Sequence, residues 1–104
     1  MGRRPIPRPK RLAEKLASIR EGLGLSQNEM INRMDLSEFL LREEVSDFER
    51  GKRIPPLRVL LGYARAAGVY VDALIDDELD LPTKLPSSFR PIRRGTRRKP
   101  ARGF

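Results

Sequence analysis

Apolar residues recur at helical spacing in four stretches of this chain, and each stretch runs into a glycine or an aspartate. Leu12, Leu16, Ile19 and Leu23 are four, three and four residues apart, which puts them on one face of a helix beginning at Lys10 or Arg11. Gly22 and Gly24 end it. Ser26 then stands as an N-cap with Glu29 three residues on, the capping-box spacing, so a second helix is predicted from Gln27 with Met30, Ile31 and Met34 facing a core. Leu25 sits where a hydrophobic staple would place it. Asp35 breaks that pattern. Ser37 opens a third predicted helix, in which Leu41, Val45 and Phe48 form the inner stripe and Gly51 supplies a left-handed stop. Pro55 and Pro56 suit the start of a fourth, with a stripe of Leu57, Leu60, Leu61, Ala64 and Ala67 ending at Gly68. Val69, Val71, Leu74 and Ile75 fit one more short helix that closes the core. Sustained alternation is missing, as is any internal repeat, so the expected class is all-α with five helices.

The flanks read differently. GRRPIPRPK carries three prolines in five positions, which favours an extended arm over helix or inner strand. From Pro82 onward the chain is rich in Pro, Ser, Gly and Arg and too poor in apolar residues to offset its ordering entropy. The resulting division is a basic arm over 1–9, a helical domain over 10–81 and a basic tail over 82–104. At 104 residues one small domain is expected.

Charge follows the same division. The net charge is +8, yet Leu12 to Thr83 holds nine basic against fourteen acidic residues, a net of −5. The first eleven residues carry +5 and the last twenty-one +8, with no acid in either. Arg3, Arg4 and Arg8 in the arm, and Arg93, Arg94, Arg97 and Arg98 in the tail, read equally as solvated termini or as contacts to nucleic-acid phosphates. Phe89, Ile92 and Phe104 stand among the tail arginines, where they offer base stacking or partner docking.

Composition removes most catalytic chemistry. There is no cysteine and no histidine, no phosphate-cradling loop and no nucleophile with a base, so no enzyme, metal or cofactor is expected. Asp76, Asp77, Glu78 and Asp80 lack the spacing and glycine of an oxygen-ligand loop. They read as a solvated acidic edge, or as acids that hold the basic tail against the domain. No apolar run approaches the roughly 20 residues of a membrane span, and no apolar signal region is present, so a cytoplasmic protein is expected.

The order of these signals resembles the Cro/repressor-type helix-turn-helix domains, the xenobiotic-response-element family. The residues that carry the likeness are LASIREGLGLSQNEM, then VSDFERGKRIPPLRVLLGYARAAGV, then VDALID, and they cover about residues 10 to 80. The resemblance implies a compact five-helix, lambda-repressor-like domain that binds double-stranded operator DNA as a homodimer, with its third helix in the major groove. It places Gln27 on a phosphate and the outward residues of the third helix on bases. Helical projection makes these Glu43, Ser46, Asp47 and Arg50, with Arg42 at the margin and Lys52 and Arg53 on backbone phosphate. The chain departs from that pattern in two respects. The 26 residues from Ser26 to Gly51 make a longer interval than is usual in the family, enlarged around Leu36 to Leu40. Glu43, Glu44 and Asp47 also put acids on a helix expected to meet a polyanion.

Two functions are therefore expected to compete. The first is a sequence-specific DNA-binding transcriptional regulator whose arms supply much of the affinity. The second is a protein-interaction module, an antitoxin or adaptor, that keeps the helical domain as scaffold and binds a partner protein through its C-terminal tail.

Overall fold

The computed structural model describes residues 3–85, and five α-helices with no strand make up the regular structure among them. They are α1 (Leu12–Gly22), α2 (Gln27–Arg33), α3 (Arg42–Glu49), α4 (Leu57–Ala67) and α5 (Asp72–Ile75). Helix α1 is the centre of the arrangement, packed against α3, α4 and α5, while α2 lies on α3 and α5 on α4. Leu12, Leu16 and Ile19 of α1 meet Met30 and Ile31, Val45 and Phe48, Val59, Leu60 and Tyr63, and Leu74 in one buried cluster.

Local chemistry accounts for the helix ends. Ser26 Oγ accepts the Glu29 N–H at 3.1 Å and Glu29 Oε1 accepts the Ser26 N–H at 2.7 Å, the full capping box. At the other end of the motif, Gly51 takes φ +76° while its N–H bonds to the Phe48 carbonyl and the Lys52 N–H to the Asp47 carbonyl. This is the Schellman closure, and it turns the chain sharply out of α3. Helix α2 ends in the same way, with Asp35 at φ 60° in place of glycine and the Leu36 N–H returned to the Ile31 carbonyl.

The structure corrects the third and fourth helices. Ser37 does not open a helix: residues 37–39 form a turn, and α3 begins only at Arg42. The Leu36 carbonyl accepts both the Phe39 and Leu40 N–H groups, at 2.9 and 3.0 Å, and this winding carries Leu40 into the core. Leu41 is pushed outside, 65% exposed, with the extended backbone of an N-cap. In α4 the buried stripe is Val59, Leu60, Tyr63, Ala64 and Ala67, while Leu57 is 84% exposed and Leu61 half-buried. The helix is rotated because Tyr63 goes inward to a buried polar partner that apolar periodicity does not register. Gly62 lets α4 approach the end of α2, where Met34 Cγ would lie 2.6 Å from an added Cβ. In α5 Leu74 is buried, Val69 and Val71 pack at the margin, and Ile75 is exposed.

No helix among the described residues is long and apolar enough to cross a membrane.

Candidate functional site

Glu49, at the last position of α3, determines how α2 and α3 are held. Its side chain is 5% exposed, and four groups from three other segments converge on it. Arg20 of α1 donates from Nε to Oε2 at 2.9 Å and from Nη2 to Oε1 at 2.9 Å, a fork matched to the planar carboxylate. The Tyr63 hydroxyl of α4 donates to Oε2 at 2.8 Å, and Gln27 Nε2 of α2 donates to Oε1 at 3.3 Å. Arg20 Nη1 also donates to the Leu25 carbonyl at 2.9 Å, which ties in the segment leading to α2. Hydrogen bonding to Glu49 raises the Arg20 pKa above its ordinary value. Burial, then the Glu49 charge, pushes the Tyr63 phenol far up, so it stays a donor.

The opposite side of α3 faces water. Arg42, Glu43 and Arg50 are exposed, and Ser46 and Asp47 are half-buried. Two acids on this side of the helix, Glu44 and Asp47, have local work. Glu44 Oε1 accepts the Leu41 N–H at 2.9 Å, closing the N-terminus where a carboxylate is favourable. Asp47 holds Arg50 at 3.2 Å and Arg53 at 3.8 Å, and Arg53 also reaches Glu44 at 3.3 Å. Such exposed pairs contribute little to stability, but they do mask part of the positive charge beside α3. Among the described residues Arg42 and Lys52 make no ion pair. Gln27, expected on a phosphate, is half-buried and spends its amide on Glu49.

The root of the basic arm is anchored, and it lies near the exit of α3. Gly51 sits over Ala13 in the first turn of α1, with 3.7 Å from an added Cβ to the Ala13 methyl. Asp77 accepts the backbone N–H groups of Lys10 and Arg11 at 2.9 and 3.0 Å, capping α1 from 66 residues away. Arg11 donates to the Asp77 carbonyl and pairs with Asp80 at 2.8 Å. The acidic edge is therefore only partly solvated, with Asp77 and Asp80 engaged at the start of α1. Arg3, Arg4 and Arg8 are exposed; Arg93, Arg94, Arg97 and Arg98 lie outside the described residues, as do Phe89, Ile92 and Phe104.

Lys15 is the other anchor. It is 2% exposed, and Nζ donates to the carbonyls of Ala73, Asp76 and Leu79 at 2.8, 2.9 and 2.7 Å. Beyond α5 the chain stays on α1, with Leu81 and Leu85 against the core and Leu85 seated over Gly22. A hollow of about 530 Å³ between α1 and this segment is bordered by Glu14, Ser18 and Lys84. No group of three or more metal-binding side chains occurs among the described residues.

Sequence reasoning passed over Arg20, Glu49, Tyr63 and Lys15. A signal existed for Glu49, which lies four residues after Val45 and one after Phe48, so a carboxylate was bound to enter the core margin and need partners there. Lys15 carried the same signal, three residues after Leu12 and four before Ile19, but its acceptors are backbone carbonyls 58 to 64 residues away.

The two backbone bonds from Lys10 and Arg11 hold the Asp77 carboxyl below its ordinary value of 3.8. Folding therefore favours the ionised form, so this contribution is complete above about pH 4 and is lost as pH falls through the lowered value. The Lys10 and Arg11 amide resonances are expected to titrate together with a midpoint below 3.8, and Asp77→Asn to abolish that titration. A midpoint at or above the ordinary value would remove the capping role.

No protein-family model matches this chain, and no curated protein matches it.

Proposed function

We propose that the protein is a sequence-specific DNA-binding regulator and not an enzyme. In this reading α2, the ordered turn and α3 act as a helix-turn-helix, with α3 in the major groove of double-stranded DNA. The observation that carries the proposal is the seat of Gly51 on Ala13, which brings the root of the basic arm beside the exit of α3. In this reading the exposed face of α3 supplies base readout and Arg3, Arg4 and Arg8 supply phosphate contact. The rigid hold of Glu49 supports it further, since a reading helix must be presented at a fixed angle. A homodimer on a two-fold site is the assembly this mode of binding favours.

The masking of Arg50 and Arg53 by Asp47 and Glu44 favours a second reading, a protein-interaction module whose partner binds through the tail. Selection of fragments from random DNA, at two salt concentrations, separates the two. The full chain is expected to enrich one shared motif, and Arg42→Ala to relax it at one position. Removing residues 2–9, which leaves Lys10 and Arg11 on Asp77, deletes Arg3, Arg4 and Arg8 and should make the log affinity against log salt slope shallower by about 3. Removing residues 86–104 should flatten it again, with Leu85 kept on Gly22. Indifferent enrichment, together with a protein partner lost on truncating the tail, would establish the module instead.

A further inference from the structure

The turn before α3 exposes two large apolar side chains that no folding role explains. Phe39 is 77% and Leu41 65% exposed, while Leu36 and Leu40 between and beside them pack inward. The turn is well ordered: the Leu36 carbonyl holds the Phe39 and Leu40 N–H groups, and Glu44 Oε1 holds the Leu41 N–H. Arg42 and Glu43 follow directly, both exposed, and neither has a hydrogen bond or ion pair with a described side chain. The leading end of α3 thus offers two apolar groups, then a cationic donor, then an anionic acceptor.

We propose that Phe39 and Leu41 read thymine 5-methyl groups in the major groove, making the turn before α3 a second specificity element alongside the helix. The inference rests on the DNA-binding reading given above. Its ground is chemical complementarity. Phosphate offers Phe and Leu no partner, and of the base edges in the major groove only thymine presents an apolar group, the sugar C–H groups carrying no sequence information. The neighbouring Arg42 matches the two acceptors of guanine, and Glu43 matches the amino group of cytosine. A recognition helix reaches base edges with its N-terminal residues, so in this reading the turn immediately before Arg42 is carried toward the groove with them. The target is accordingly a thymine adjacent to a G·C pair.

The test uses the full chain and the sites it selects from random DNA. Each thymine is replaced in turn by deoxyuridine, which removes only the methyl. One or two positions should lose about four-fold in affinity per methyl, the equivalent of one buried carbon. Phe39→Ala and Leu41→Ala should each abolish that loss at its own position, with the helical circular dichroism unchanged because both side chains are outside the core. Equal binding of uracil DNA, or a methyl dependence that survives both substitutions, overturns the proposal while leaving DNA binding intact. Failure of the wild type to select any DNA overturns both readings. Loss of a protein partner on Phe39→Ala, with no methyl dependence, assigns the surface to that partner and overturns the proposal.

Discussion

Glu49→Ala is expected to lower the unfolding free energy by about 3–5 kcal/mol, the range for removing one partner of a buried ion pair. Domains of this size have total stabilities of about 5–15 kcal/mol, so the variant should be largely unfolded at modest temperature. The reason is the number of groups left behind. Arg20, 16% exposed, loses its carboxylate, and the Tyr63 hydroxyl and Gln27 amide lose their acceptor in the same place. Glu49→Gln should cost less, because its carbonyl oxygen still accepts from Arg20 or Tyr63 although the charge is gone. Combining Arg20→Met, Glu49→Leu and Tyr63→Phe removes every polar member at once and should recover much of the loss, since a satisfied buried network and a well-packed apolar replacement are often close in free energy. Urea denaturation of the series measures this. A loss below about 1 kcal/mol for Glu49→Ala would mean that water replaces the carboxylate easily and that α3 is held by apolar packing alone.

The second large effect is expected at Lys15. Its three donors are all taken by carbonyls of residues 73–79, so Lys15→Ala strips the Ala73 carbonyl of its donor, leaves the Asp76 and Leu79 carbonyls only the Leu79 N–H and Arg11 Nη1, and deletes the buried stem. A loss of about 3 kcal/mol is expected, near the upper value for one hydrogen bond to a charged group because desolvation of the ammonium offsets the rest. Lys15→Met keeps the stem and removes only the donors, so it should recover the packing share. The loss should also be local. Backbone amides of Leu74, Asp76 and Leu79 should exchange faster in Lys15→Met, while those of α2 and α3 keep their protection. Uniform loss of protection would show instead that the segment after α5 is part of one cooperative unit with α3.

The two anchors have a functional corollary. Asp77, Asp80 and Lys15 fasten residues 73–80 to the start of α1, where the basic arm begins, and the chain then passes along α1 to Leu85 over Gly22 at its far end. Weakening Lys15 should therefore disturb arm placement before it disturbs the α3 surface.

Much of the helical architecture was legible because its causes are local. The capping box at Ser26 and Glu29, the break at Asp35, the left-handed exit at Gly51, and the stripe Leu12, Leu16 and Ile19 depend on residues within a turn or two of each other. The segregation of charge into arm and tail is likewise a property of the chain alone. The outward positions projected on α3 were legible for the same reason, since Val45 and Phe48 do face the core.

Long-range polar pairing decided what periodicity could not. Leu41 and Leu57 looked like core residues by spacing, yet Leu40 and Tyr63 took the interior, the one through the turn wound on the Leu36 carbonyl and the other through its bond to Glu49. Lys15 appears in the sequence as a charge on the apolar face of α1 with no visible partner, and Asp77 as an ordinary surface charge. The tertiary structure makes one a buried clamp on three carbonyls and the other a helix cap, because their partners are more than 55 residues away along the chain. Helix identity, the ends set by the Ser26 capping box and Gly51, and charge layout belong to the sequence by itself, since each arises from neighbours. Which leucine is buried, which acid is a cap and which lysine is a clamp belong to the tertiary structure, because a buried polar group must be matched and its match arrives only when distant segments pack.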